Sequence, residues 1–271
     1  MPIRRFALAF LAAALAAAPA LRAEHHEPLE DAIAGAHRSA ENRARDAWRH
    51  PKETLEFFGF RPDLVVIEVY PGGGWYTEIL APALRDTGTL VAAHYGEETG
   101  SEYRTKSHRD FVASLAAAPA LYDQVRVTAY DPAKGTPLAQ PASTDLVVTF
   151  RNLHGLARAG TLDTFFADAY AALRPGGVLG IVQHRAPEGT DPGDGSRGYL
   201  LQSTVIERAE AAGFRLAAAS EINANPKDTA DYPQGVWTLP PSLRLGDEDR
   251  QKYLAIGESD RMTLKFVKPA G

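Results

Sequence analysis

Seven short apolar runs rich in β-formers recur along the chain, at 64–69, 89–94, 124–129, 145–150, 178–183, 214–219 and 262–267. Alanine-rich, helix-compatible stretches at 75–85, 105–118 and 161–173 lie among the first five runs, and another at 199–212 precedes the sixth. Apolar strands alternating with helices predict an α/β fold with a mostly parallel, seven-stranded sheet, covered on both faces because each crossover lays a helix on the sheet. Upstream the period changes. Leu29, Ile33 and Ala36 fall at i, i+4 and i+7, residues 39–48 are charged on one side, and Pro51 opens a short helix that Gly59 closes. Residues 24–60 are thus predicted to be a helical lead-in, and 61–271 the α/β domain.

The first 23 residues follow another logic. Arg4 and Arg5 precede an uncharged, apolar stretch from Phe6 to Ala18, after which Ala18, Pro19 and Ala20 meet the small-x-small pattern and Ala23 offers a second cleavage point. This is the order of a secretory signal peptide. Its apolar run of 13 residues falls short of the roughly 20 that span a bilayer. The expectation is a periplasmic or secreted protein with no stable membrane anchor after cleavage.

Composition narrows the chemistry. The 271 residues contain no cysteine, which excludes thiol catalysis, disulfides and thiolate metal sites. The formal charge is −5, and removal of Arg4, Arg5 and Arg22 with the leader makes it −8. Nothing in that balance predicts nucleic acid as a partner. Glu24, His25, His26, Glu27 and His37 include metal-ligating types, but no framework surrounds them and no metal site is expected. A small molecule remains the expected partner.

In an open α/β sheet, ligands bind beyond the carboxyl ends of the strands. After the first strand comes Glu68-Val69-Tyr70-Pro71-Gly72-Gly73-Gly74-Trp75-Tyr76-Thr77. Three glycines between a buried strand and a helix let backbone approach a ligand and aim the free N–H groups of the helix terminus at it. A nicotinamide fingerprint would need a further glycine where Thr77 stands, so a dinucleotide-dependent reductase is disfavoured.

With the acid Glu68 ahead of this loop, the sequence resembles the class I S-adenosylmethionine (SAM)-dependent methyltransferases. Gly72 and Gly74 stand at the second and third glycines of their first motif, and Tyr70 stands where the first glycine usually is. The stretch from Asp145 to Leu156 is similar to their fourth-strand motif, and Leu173 to Leu179 to the turn into their fifth strand. The loop and the ThrLeuLysPheVal ending are similar to a group of exported bacterial proteins described as predicted methyltransferases. The resemblance implies a Rossmann-like class I methyltransferase sandwich that transfers a methyl from SAM to a small acceptor in the cell envelope.

It also implies site residues. Glu68, Tyr70, Gly72, Gly73 and Gly74 would face the cofactor. His94 takes the place of the acid that usually binds the ribose hydroxyls, with Glu97 or Glu98 as substitutes. Asp131 stands where a group usually reaches the adenine amino nitrogen; the plainer reading is an Asp–Pro turn former. Arg151 and Asn152 lie at the mouth of the expected cofactor pocket. His154 either faces the pocket or caps a helix. His184 is the other candidate base, and Arg185 beside it would orient substrate, unless both are only surface groups at a strand end. Residues 187–198, too glycine-rich and polar for regular structure, are predicted to form a lid. In the insertion over 222–260, Tyr232 and Trp237 either wall the acceptor pocket or anchor the excursion to the core. The competing expectation is a non-catalytic periplasmic ligand-binding or scaffold protein that keeps the fold.

The export expectation has a direct check. N-terminal sequencing of the secreted protein is expected to begin at Leu21 or Glu24, and an intact Met1 would overturn it.

Overall fold

A computed structural model of the chain describes residues 28–270. The expected leader, its cleavage points, and Glu24 to Glu27 lie outside the described residues. Four short helices come first: α1 (Pro28–Ala34), α2 (Ala40–Ala44), α3 (Asp46–Arg49) and α4 (Pro51–Phe58). Ser39 caps α2 by accepting from Asn42 N, Pro51 opens α4, and Gly59 ends it at φ 82°. Then strands and helices alternate: β1 (Val65–Val69), α5 (Thr77–Leu84), β2 (Thr89–His94), α6 (Glu102–Ala117), α7 (Pro119–Tyr122), β3 (Arg126–Ala129), β4 (Thr144–Phe150), α8 (Leu153–Arg158), α9 (Leu162–Ala172) and β5 (Leu173–Ala186). The chain closes with β6 (Leu200–Leu201), α10 (Gln202–Ala211), β7 (Arg215–Ser220), α11 (Arg250–Ile256) and β8 (Arg261–Val267).

The sheet order is β3-β2-β1-β4-β5-β8-β7, and β6 pairs with β5 off this path. All pairings are parallel except β5 with β8 and β8 with β7, which are antiparallel. The sheet has eight strands where the apolar runs predict seven. The extra strand is β6, two residues pairing with Arg185 and Ala186 inside the stretch predicted as helix 199–212. Two residues are too few to set up a period of two against a helical pattern.

Alternation along the strands divides the core. Ile67, Val69, Val147, Leu179, Ile181 and Leu264 face α9 and α10, through side chains such as Phe165, Phe166 and Val205. Val66, Leu90, Leu146 and Val148 face α1, α4 and α5, through Leu55, Phe58, Ile79 and Leu80. Successive side chains of a strand point to opposite faces, so each strand feeds both layers.

Two features position the cavity described below. The order reverses between β1 and β4, where the crossovers leave in opposite directions and their loops part. The helical lead-in packs beside that gap: Trp75 Nε1 donates to Asn42 O at 3.0 Å, Asn42 Nδ2 to Glu78 Oε1 at 2.8 Å, and the bidentate Arg38–Asp46 pair ties α3 to the turn after α1.

The seat of α4 on the sheet depends on one glycine. A Cβ at Gly180 would lie 2.6 Å from the Phe58 ring, so β5 meets α4 only where a side chain is missing. Gly180→Ala is expected to cost about 1–3 kcal/mol by overpacking. In a Phe58→Ala background the same change should cost much less, and a urea-unfolding double-mutant cycle reads the coupling. Additive effects of the two changes would show that this contact does not set the helix position.

Candidate active site

A cavity of about 870 Å³ opens at the carboxyl ends of β1, β4 and β5, within the size range of small-molecule sites. Its walls come from the glycine loop, the segment after β2, the turn after β4, the end of β5, the excursion between β7 and β8, and the lead-in helices.

Two of the seven non-glycine residues with positive φ among the described residues flank the switch point. Tyr70, just after β1, has φ 50°, and Arg151, just after β4, has φ 65°. Non-glycine residues in the left-handed region cost about 1–3 kcal/mol each and persist where the surroundings enforce them. Asn152 supplies part of that enforcement: its Nδ2 donates to Val69 O at 2.9 Å and to Tyr70 O at 3.2 Å, clamping the end of β4 to the end of β1. The side-chain amide is therefore engaged with the protein itself.

The loop is open where a ligand would approach. Gly72 and Gly74 have φ 61° and 80°, which explains glycine at both. Cβ atoms at Gly72 or Gly73 would meet nothing within 4 Å, whereas one at Gly74 would contact the Phe111 ring. Beneath the loop, Glu68 is buried and accepts from Thr77 Oγ1 at 2.6 Å. Burial pushes its carboxyl up to about 7, against the opposing pull of the Thr77 bond and of Arg151. Glu68 braces the strand-to-helix turn and does not line the cavity.

Of the sequence-predicted residues, Tyr70, Gly72, Gly73, Arg151, Asn152, His154, His184 and Trp237 come together around the cavity. Gly74, His94, Asp131, Arg185 and Tyr232 do not line it, and each departure has a local cause. His94 is fully buried, its Nδ1 accepting from Tyr95 N at 2.7 Å and its ring stacked on Phe111. Asp131 accepts from Ala133 N in the Asp–Pro turn and pairs with Lys134. Arg185 is neutralised by Glu221 at 2.6 Å and Asp260 at 2.8 Å. Tyr232 packs against Tyr253 in a satellite core, anchoring the excursion. On the β2 side the cavity wall is instead Tyr95 and Tyr103 with Arg104; Tyr70 stacks on Tyr95, ring centroids 4.5 Å apart, and its hydroxyl reaches Tyr130 O.

The two candidate bases are neighbours, with ring centroids 5.8 Å apart. Burial lowers His154 to about 4, Arg151 adding to the effect against a bond from Gln183. His184 lies well below the ordinary histidine value through burial, then His154 and Arg151. Both are neutral near pH 7. His184 Nδ1 lies 2.6 Å from Ser259 Oγ, and the His154 ring meets Trp237 edge-on. Residues 187–198 lack helix or strand, as expected, and Gly195 packs against the His154 carbonyl.

Sequence reasoning missed the charge of the cavity. Arg45, Arg49, Arg104, Arg151, Arg158 and Arg244 line it, with Glu258 as its one carboxylate among the described residues. Their separation along the chain hides them. The signal available was Arg45 and Arg49, four residues apart in the lead-in, which place both guanidiniums on one helical side.

Comparison with known proteins places the fold. No family model matches the chain, and no curated protein matches it. Solved structures do. A SAM-dependent methyltransferase from Aquifex aeolicus is 14% identical, over 83% of this chain and 93% of that one, at a TM-score of 0.56. The cyclase SpnF is 17% identical over 90% and 92%, at 0.55. Phosphoethanolamine N-methyltransferase 2 from Haemonchus contortus, solved with S-adenosyl-L-methionine, is 16% identical over 82% of this chain and 53% of that one, at 0.54. The chain has a Rossmann-like methyltransferase fold. That one of the three is a cyclase illustrates that function must be argued from the site.

Glu68 makes the electrostatics testable. A carboxyl raised from its unfolded value to about 7 holds its proton more tightly when folded, so its contribution to stability falls as pH rises from about 4.5 through 7. His94 and His154, buried neutral, act oppositely below about pH 6.5, so the difference between wild type and Glu68→Gln is the readout. Between pH 4.5 and 8 the variant should gain up to about 3 kcal/mol relative to wild type in urea unfolding. Parallel pH profiles would show that Glu68 is not buried.

Proposed function

We propose that the protein is a SAM-dependent methyltransferase acting on a small acceptor, and that it works in the cell envelope after export. The observation that carries the reading is the open glycine loop, with no atom where Gly72 and Gly73 side chains would stand, beside a cavity at the strand-order switch of a methyltransferase fold.

The cofactor suits the residues present, though not in every family position. Gly72 and Gly73 would hold its amino-acid end, and the exposed ring of Tyr103 would take the base, since Asp131 and His94 do not line the cavity. When bound it supplies an activated methyl on a sulfonium. The chain's own residues do the rest. Trp237 and the segment containing Gly195 wall the cavity from water on the side of β5. His154 and His184, uncharged and adjacent, accept the acceptor's proton where the nucleophile carries one. At about 4, His154 is a weak base, and a negative charge in the cavity would strengthen it by opposing Arg151.

Calorimetry of the mature protein with SAM and S-adenosylhomocysteine tests the reading: both are expected to bind, and absence of binding at millimolar concentration would sink it. Gly73 has ordinary backbone angles and open space above it, so Gly73→Leu should keep the wild-type melting temperature yet lose at least roughly tenfold in SAM affinity. Unchanged affinity in that variant would place the cofactor elsewhere.

A further inference from the structure

We infer that the arginine-lined floor of the cavity binds a dianionic oxyanion, the phosphoryl group of a phosphomonoester, held between Arg49 and Arg151. The anion site stands on its own observations; only its assignment to the acceptor rests on the methyl-transfer reading.

The charge balance is the first observation. Glu258 is held by Arg45 Nε at 2.6 Å, Arg261 Nη1 at 3.2 Å and Arg49 Nε at 3.4 Å, so one carboxylate serves three guanidiniums. Arg151 adds a fourth, and its own guanidinium makes no hydrogen bond or ion pair among the described residues. A guanidinium that lines the cavity without a protein partner gains from an anion bound beside it. The cluster is not a by-product of a basic chain, since the whole sequence carries −5.

The second observation is an orphaned donor. Arg49 Nη1 is buried with no hydrogen-bond partner, on a side chain that is 3% exposed and lines the cavity. The Arg49 guanidinium lies over the Trp75 ring, 4.6 Å from its centroid, which fixes its plane. Arg151, which also lines the cavity, leaves the end of β4 in a left-handed backbone conformation. Planar guanidinium forks match an oxyanion better than lysines would. Four guanidiniums against one carboxylate leave an excess that a monoanion only partly offsets, which favours phosphoryl over carboxylate. Arg158 and Arg244 at the rim extend the same field outward and would draw an anion in.

The test uses the mature protein, with inorganic phosphate and phenyl phosphate as probes. Chloride at equal ionic strength, acetate and methionine serve as comparisons. Both phosphates should raise the melting temperature by roughly 3–8 °C at saturation, with little response to acetate or methionine. Arg151→Gln should melt no lower than wild type in chloride, because it removes an unpaired charge, and should bind phosphate at least tenfold more weakly in calorimetry. Arg49→Gln should lose affinity similarly, and Arg151→Lys, which keeps the charge without the fork, should lose less. No phosphate effect on wild type beyond that of chloride would overturn the site. So would wild-type affinity in both glutamine variants, or an equal response to acetate and methionine. SAM binding by the same samples separates the two readings. Phosphate binding without SAM binding removes the methyltransferase and leaves the anion site, and the reverse removes the site alone.

Discussion

The carboxylate of Glu258 holds together parts of the chain that are far apart in sequence. It receives Arg45 and Arg49 from the lead-in and Arg261 from the start of β8, so the first and last described segments meet over the end of the sheet. Burial alone would raise this carboxyl, yet Arg49, Arg261 and Arg45 hold it at about 2. It therefore stays ionised throughout the range in which the protein would work. The cavity depends on this arrangement. Without Glu258 the guanidiniums would repel one another, and the lead-in would lose its electrostatic tie to β8.

A second constraint acts beside it. Tyr70 and Arg151 leave adjacent strands in left-handed conformations, and Asn152 bridges the two strand ends. Parallel strands that part at a reversal of order leave a gap, and these residues fill part of it while turning Arg151 toward the remainder. Tyr70 gives this chain its own version of the site. Where a glycine would leave room, its ring stacks on Tyr95 and its hydroxyl bonds Tyr130 O, so the β3 side is closed by aromatic packing. His94 and Asp131, on the closed side, are left with structural tasks.

Positive potential in the cavity and neutral histidines have one cause. Burial and nearby guanidiniums disfavour an added proton on His154 and His184 and also reduce the basicity of Arg49 and Arg151. An anion in the cavity would relax all four effects at once. Binding and protonation are linked in this site by simple electrostatics, with no moving part required.

The strands, the covering helices, the start of α2, the boundaries of α4 and the glycine loop were legible in the sequence, because each depends on neighbours within a few residues: a period of two or 3.6, a cap, a turn. Gly72 and Gly73 could be read for the same reason, as could the turn that Asp131 makes with Pro132. The short β6 escaped because two residues carry no period. The face that His94 presents, the neutralisation of Arg185 by Glu221 and Asp260, and the placing of Tyr232 in a satellite core are matters of tertiary packing. Above all, the sequence by itself determined the fold class and the loop. Only the tertiary structure gathered arginines from positions 45 to 244 around one cavity, because charges sum over distances in space that spacing along the chain does not encode.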